Sequence, residues 1–536
     1  MIEVNNLSKV FTDKKLFQEV NLKFTAGNTY GIIGANGAGK STFLKILAGQ
    51  IEPTSGQVIV GKNQRISVLE QDHFQYDQFS AIELVISGNQ ELQRIQDEKT
   101  AIYMNPAATE SDYARAAELE ELFGHRGGWN AENDAQQLLN ALDIAEAKHH
   151  RPLKELKSTE KVKVLLARAL FGNPDILIMD EPTNHLDLKA IKWLINFIND
   201  YDKIVIVVSH DSDFLDEICT NIVDIDFGKA KMFTGNYSFW KQSSQLLAEL
   251  QKQSNLKKQD QIERLQAFIA RFSANASKSK QATSRKKALE KITLDEIVPS
   301  TRKYPFIRFN VAKSPGKQIL EVQDLGYTDP SGVCLFAGVS FSLKPGEKLA
   351  LIGDDDIAKT KLLEILAGQE TNYTGTFKWG LTIKCEYFPA DNSPYFRENL
   401  KMIDWLRLWP GDNDQAEDRD VSDHRMRSFL GKMLFSGESV FKAVSTLSGG
   451  EKARLMFSRM MLRDANCLIF DQPLDHLDAE SIDAVIEAIA KYESVVMFTT
   501  YNRALIRTAN VILELKPDAS YLFRGPLEEY EAKMGY

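Results

Sequence analysis

Eight residues, Gly34-Ala35-Asn36-Gly37-Ala38-Gly39-Lys40-Ser41, have the composition and spacing of a phosphate-binding loop. Glycines lack a Cβ, so the backbone N–H groups between them can wrap closely around a phosphate. Lys40 would reach the β- and γ-phosphates of a nucleotide, and the Ser41 hydroxyl would ligate Mg²⁺. A second pair, Asp180-Glu181, closes the apolar run Ile176-Leu177-Ile178-Met179. Asp180 suits the shell of a divalent ion, and Glu181 can polarise a water that attacks phosphorus.

Each group needs an element to hold it. The apolar run TYGII precedes the loop and KSTFLKILAG follows it. That strand–loop–helix order turns the partial positive charge of a helix N-terminus toward the phosphate. The run before Asp180 reads as a buried parallel strand, which delivers both carboxylates to its C-terminal edge. The fold class expected is therefore α/β. A chain of 536 residues is too long for one core, and an internal repeat shows how it divides. GIIGANGAGKSTFLKILAGQ (31–50) lines up with ALIGDDDIAKTKLLEILAGQ (350–369), and DILIMDEPTNHLD (175–187) with NCLIFDQPLDHLD (466–478). We expect two tandem P-loop domains, 1–240 and 304–536, with a linker at 241–303.

Lys40 and Asp180 are 140 residues apart, whereas Lys359 and Asp471 are 112 apart. The 28 extra residues fall between Gln71 and Leu156, where ELQRIQDEKTAIY and SDYARAAELEELF have helical periodicity around the turn-like MNPAATE. This predicts a small helical arm at about 90–135. In the linker, Ile262, Leu265, Phe268, Ile269 and Phe272 recur at helical spacing, and Leu289 and Ile292 restart the stripe. Two antiparallel helices with a basic tip near 273–287 are expected. From Lys252 to Lys303 there are thirteen Lys/Arg against five Asp/Glu, in a chain whose net charge is -9. Lys278, Lys280, Arg285, Lys286 and Lys287 crowd together without an acid between them, which suits contact with a nucleic-acid backbone.

The second copy has lost most of its chemistry. Its loop reads Gly353-Asp354-Asp355-Asp356-Ile357-Ala358-Lys359-Thr360, so Gly37 and Gly39 have become Asp356 and Ala358. A carboxylate ~4 Å from a phosphate charge costs up to ~4 kcal/mol at an effective dielectric of ~20. Gln472 stands where Glu181 stands, and an amide cannot accept a proton. Ala390 replaces Gln71, and Thr500 replaces His210. Lys359 and Thr360 survive, which leaves binding without turnover open.

The phosphate loop, the Asp180-Glu181 pair, LSGGE at 447–451 and TNHLD at 183–187 resemble the ATP-binding cassette (ABC) superfamily. That resemblance implies ATP and Mg²⁺, with Gln71 as a loop glutamine sensing the metal and the attacking water. It further implies His210 as a switch histidine on the γ-phosphate, and Phe11 as an aromatic stacking on adenine. It implies head-to-tail cassettes. One composite site would join Gly34–Thr42, Gln71, Asp180, Glu181 and His210 to Ser448, Gly449 and Gly450, with Ser41, Gln71 and Asp180 around the metal. The other would pair the altered second loop with Leu156-Lys157-Ser158-Thr159-Glu160, which lacks the glycine pair. Tandem cassettes, the arm and the charged linker together resemble the ABC-F family across essentially the whole chain. Members dock on the ribosome near the tRNA exit site in the ATP-bound form, the linker facing P-site tRNA and the arm facing the ribosomal stalk. The usual family pattern has two intact sites, and this sequence departs from it.

No run approaches the length a membrane helix needs, no basic-then-apolar start is visible, and four scattered cysteines give no disulfide pattern. A cytoplasmic, monomeric protein with no membrane domain is expected, its cassettes closing on each other within one chain. Two other functions share many of these features. One is ribosome protection against antibiotics, for which this linker tip looks short. The other is a detached transporter ATPase, which leaves the basic linker without a task.

Overall fold

The computed structural model describes residues 1–11, 14–69, 76–272, 302, 304–311, 313–409, 422–517 and 519–535. Among these residues each half shows one six-stranded and one three-stranded sheet in matching order. In the first half the large sheet runs Ile66–Leu69, Ile176–Asp180, Ile204–Val208, Asn28–Gly34, Asn221–Asp226 and Lys229–Thr234. All neighbours are parallel except the last pair. Parallel strands are covered on both faces, which is why IVIVV at 204–208 is apolar without alternation and buried throughout. The second half repeats the order with Cys385–Phe388, Cys467–Asp471, Val495–Thr499, Lys348–Ile352, Val511–Leu515 and Ser520–Arg524. The smaller sheets are antiparallel: Lys14–Phe24, Ile2–Phe11 and Ser55–Val60 in one half, Cys334–Leu343, Leu320–Thr328 and Thr374–Trp379 in the other. The α/β class and the duplication both hold.

Register places the chemistry. Asp180 lies opposite Val208, and Val208 opposite Ile32. Gly34, Glu181 and His210 therefore leave three adjacent strands at nearly the same level, on the edge where open α/β sheets bind ligands. The helix Leu188–Asn199 closes over this edge. It buries Leu188, Ile191, Leu194, Ile195 and Ile198 at spacings of three and four, each stabilising by about 1.5–3 kcal/mol. Its first turn is capped by Asp187, whose side chain accepts from Ala190 N at 2.8 Å.

In the predicted arm region, Gln90–Tyr103 and Glu110–His125 form helices, followed by Ala131–Ala141. The second starts at a reciprocal cap, Thr109 N donating to Asp112 Oδ2 at 2.7 Å and Asp112 N to Thr109 Oγ1 at 3.4 Å. Lys99 fastens the arm internally, 3.0 Å from Glu120 and 4.2 Å over the Phe123 ring. A single helix, Tyr237–Phe272, crosses position 240 and carries the first part of the linker; Leu265 is buried on it. The remaining linker residues up to 301, including Leu289, Ile292 and the expected basic tip, lie outside the described residues. Arg302 ties the linker's far end to both halves, 2.5 Å from Asp224 and 3.1 Å from Glu480, with its guanidinium 4.5 Å over the Trp240 ring. Further pairs cross between the halves, among them Arg503–Glu217 at 2.6 Å and Lys241–Asp483 at 2.7 Å. Among the described residues no helix is long and apolar enough to cross a membrane.

Candidate functional site

The first phosphate loop has the backbone its glycines were expected to permit. Gly37 and Gly39 take φ of 77° and 101°, a region that strains residues with a Cβ, and Gly39 caps the helix Lys40–Leu47. Lys40 is buried and donates to the Gly34 carbonyl at 2.7 Å. Burial pushes its ammonium below the ordinary lysine pKa, against the pull of Glu181, Glu480, Asp180 and Asp478. Two of those carboxylates belong to the second half, so the two halves already share this site. Ala35, Asn36 and Ala38 complete the loop, with Ser41 and Thr42 in the first turn of the helix. Ser41 is hydrogen-bonded to Asp180, which burial holds above the usual carboxylate range. That hydroxyl–carboxylate pair is the donor set Mg²⁺ prefers, so the residues fit the ion.

Glu181 has φ 53°, a conformation that costs about 1–3 kcal/mol and turns its side chain toward the next strand. Its Oε2 accepts from His210 N at 3.1 Å, and Oε1 lies 3.5 Å from His210 Nε2. Burial pushes the Glu181 carboxyl up to about 8, only partly offset by the His210 amide. Burial and then Lys40 push the His210 imidazole down to about 4. A carboxyl protonated below about pH 8 thus faces a neutral imidazole. A cavity of about 580 Å³ brings Asn36, Asp180, Glu181 and His210 together with Gln472, Asp475, His476 and Tyr501 of the other half.

Ser448, Gly449 and Gly450 do not line that cavity. They start the helix Gly449–Leu462, with Ser448 as the cap, and the two glycines lie against His476, which does line it. Phe11 ends the strand Ile2–Phe11 and is 48% exposed, its ring 4.9 Å from Lys9 Nζ. Gln71 lies outside the described residues, as do Lys278, Lys280, Arg285, Lys286 and Lys287.

One residue correspondence needs correcting. Asp211 and Asn502 cap equivalent helices, and their backbone amides donate to Ser209 Oγ and Thr500 Oγ1, each at 3.1 Å. Thr500 therefore matches Ser209, and Tyr501, not Thr500, stands in the place of His210. The apolar strands align at any one-residue offset in sequence; the caps fix the register, and strand pairing agrees, Thr499 lying opposite Leu351 as Val208 lies opposite Ile32. Sequence reasoning also missed Asp211, a buried carboxyl pushed up to about 6 by desolvation, and Glu480, which reaches Lys40 from the other half. No local motif marks either one.

These sheets, loops and carboxylates define an ATP-binding cassette protein with two cassettes in one chain. One family model described as ABC transporter matches twice, at residues 17–184 and 336–475, and a further model of the same description matches 223–309. The chain is 50% identical to the uncharacterised ABC transporter ATP-binding protein YkpA of Bacillus subtilis (strain 168), over 97% of this chain and 95% of that protein. It is 30% identical to ABC transporter F family member 2 of Arabidopsis thaliana, over 96% of this chain and 76% of that one. The solved structure of an RNase-L Inhibitor shares the fold with a TM-score of 0.61 at 18% identity, over 99% of this chain and 93% of that one. The chain belongs to the ABC-F family of tandem-cassette proteins.

Proposed function

We propose that this chain hydrolyses ATP at one composite site and that its ATP-bound, closed form docks on the ribosome and modulates translation. The observation that carries the reading is the pairing of Glu181 with His210 beside Lys40, where the mirror positions hold Gln472 and Tyr501. Glu181 takes a proton from the water that attacks the γ-phosphate, and neutral His210 donates an N–H to the phosphate oxygens. Lys40 and the loop amides hold the β- and γ-phosphates, and Phe11 offers an exposed ring to adenine. Ser41, Asp180 and Gln71 would hold Mg²⁺, which neutralises charge on the phosphate oxygens. Ser448, Gly449 and Gly450 close over the nucleotide as the halves approach, and the chain works as a monomer in the cytoplasm.

The ribosomal part of the reading rests on family membership and on the basic cluster Lys278, Lys280, Arg285, Lys286 and Lys287, whose charge suits rRNA and P-site tRNA. The arm is the element that would meet the stalk. Co-sedimentation of the Glu181→Gln protein with ribosomes is expected to rise several-fold when ATP is added. Replacing the five basic residues with Gln should weaken that binding and flatten its salt dependence, because each lost phosphate contact releases fewer counterions. Equal pelleting with and without ATP would sink the reading.

A further inference from the structure

The second phosphate loop is built differently from the first. Its helix starts at Asp356, three residues before the aligned Lys359, whereas the first starts at Lys40 itself. Without glycines at these two positions, the chain winds into a helical turn where the first half makes a loop. The amides a phosphate would use are thereby engaged. Ala358 N donates to Asp355 Oδ1 and Lys359 N to the Asp355 carbonyl, each at 3.1 Å. Lys359, 2% exposed, has Nζ 2.9 Å from Asp356 Oδ1 and 4.5 Å over the Tyr501 ring. The Tyr501 hydroxyl donates to Asp356. Burial drives that phenol far above its ordinary pKa, which keeps it a donor.

The facing half adds its own contacts. At the helix start that corresponds to Ser448-Gly449-Gly450, Lys157 Nζ sits 3.0 Å from Asp355 Oδ2, and Thr159 Oγ1 donates to the Asp354 carbonyl at 3.2 Å. The His185 ring packs edge-on against Tyr501 at 5.9 Å. Only the remnant of a metal pair persists, with Thr360 Oγ1 donating to Asp471 Oδ2 at 2.6 Å.

We infer that the second cradle admits no nucleotide: Asp355 and Asp356 take the positions of phosphates on the helix N-terminus and on Lys359, and the loop serves as a seam joining the halves without ATP. A triphosphate entering here would have to unwind a capped turn and part Lys359 from Asp356. It would also have to settle beside three carboxylates. In the first cradle no helical turn stands before Lys40, and its Nζ donates to the Gly34 and Ala35 carbonyls at 2.7 and 3.5 Å. The seam also links the two ends of the interface. Tyr501 meets His185, Asp475 is drawn electrostatically to both His185 and His476, and His476 backs Gly449 and Gly450.

The inference extends the one-site reading and does not depend on ribosome docking, so its failure would leave docking untouched. Titration of the full chain with ATPγS and Mg²⁺, read by calorimetry, is expected to give one equivalent per chain. That equivalent should vanish in Lys40→Ala and persist in Lys359→Ala. Two equivalents in the natural protein, or one surviving in Lys40→Ala, would overturn nucleotide exclusion. For the seam, Lys157→Glu should lower Tm by about 2 °C in nucleotide-free protein, more than Lys154→Glu at a neighbouring exposed position. Equal shifts would overturn the seam.

Discussion

Glu181 and Gln472 occupy the same turn, with φ of 53° and 47°, and differ by one terminal atom. An amide holds the geometry but cannot take the proton. Glu181→Gln is therefore expected to bind ATP while turnover falls about 100-fold or more, the range a general base supplies; a single-turnover assay checks it. The pKa shifts assign the pH dependence as well. A carboxyl held at about 8 is protonated below that pH and becomes a base above it. An imidazole pushed to about 4 is already neutral throughout this range. So kcat/KM for ATP should rise with pH through about 8, and His210→Gln should lower the rate without moving that inflection. An inflection that shifts with His210→Gln would reassign the base.

The signature helix Gly449–Leu462 and the loop before Ala479–Lys491 are packed so closely that a Cβ on Gly450 would sit 2.7 Å from the His476 carbonyl. Backbone on both sides leaves little room to yield. Gly450→Ala is expected to cost about 1–3 kcal/mol of stability and, on the proposed one-site reading, to lower turnover by displacing the helix Gly449–Leu462. Gly431, near the end of the helix Asp423–Lys432, has open space where its Cβ would be, so Gly431→Ala should be neutral or stabilising by about 0.5–1 kcal/mol. Thermal unfolding of the two variants distinguishes local crowding from a general intolerance of alanine. The helical start at Asp356 follows the same logic of local fit. Only glycine relaxes at the φ values of Gly37 and Gly39, and its loss converts a phosphate loop into a capped helix.

Taken together, the halves are copies of one design that differ at their phosphate loops. Lys40→Ala should abolish ATP turnover, whereas Lys359→Ala should leave it nearly intact while lowering stability, because a buried lysine that contacts Asp356 and Tyr501 is truncated. Equal losses of turnover from both would refute the one-site assignment. The seam at the second cradle and the Arg503 bridge to Glu217 and Glu531 hold one side of the interface through side chains.

Much of this was legible in the residue order. The Gly34–Ser41 loop, the carboxylates after Ile176–Met179 and the internal duplication are patterns of near neighbours along the chain, and near neighbours determine strand, turn and cap chemistry. The arm's helices could be read for the same reason. The match of Tyr501 to His210 was missed, because a run such as Val495–Thr499 gives no register until its cap, Asn502, is seen in space. The seam could not be read at all. Lys157 and Asp355 are 198 residues apart, as are Thr159 and Asp354 nearly so, and a charge on one half becomes a latch only when packing of the two cassettes brings its partner within reach.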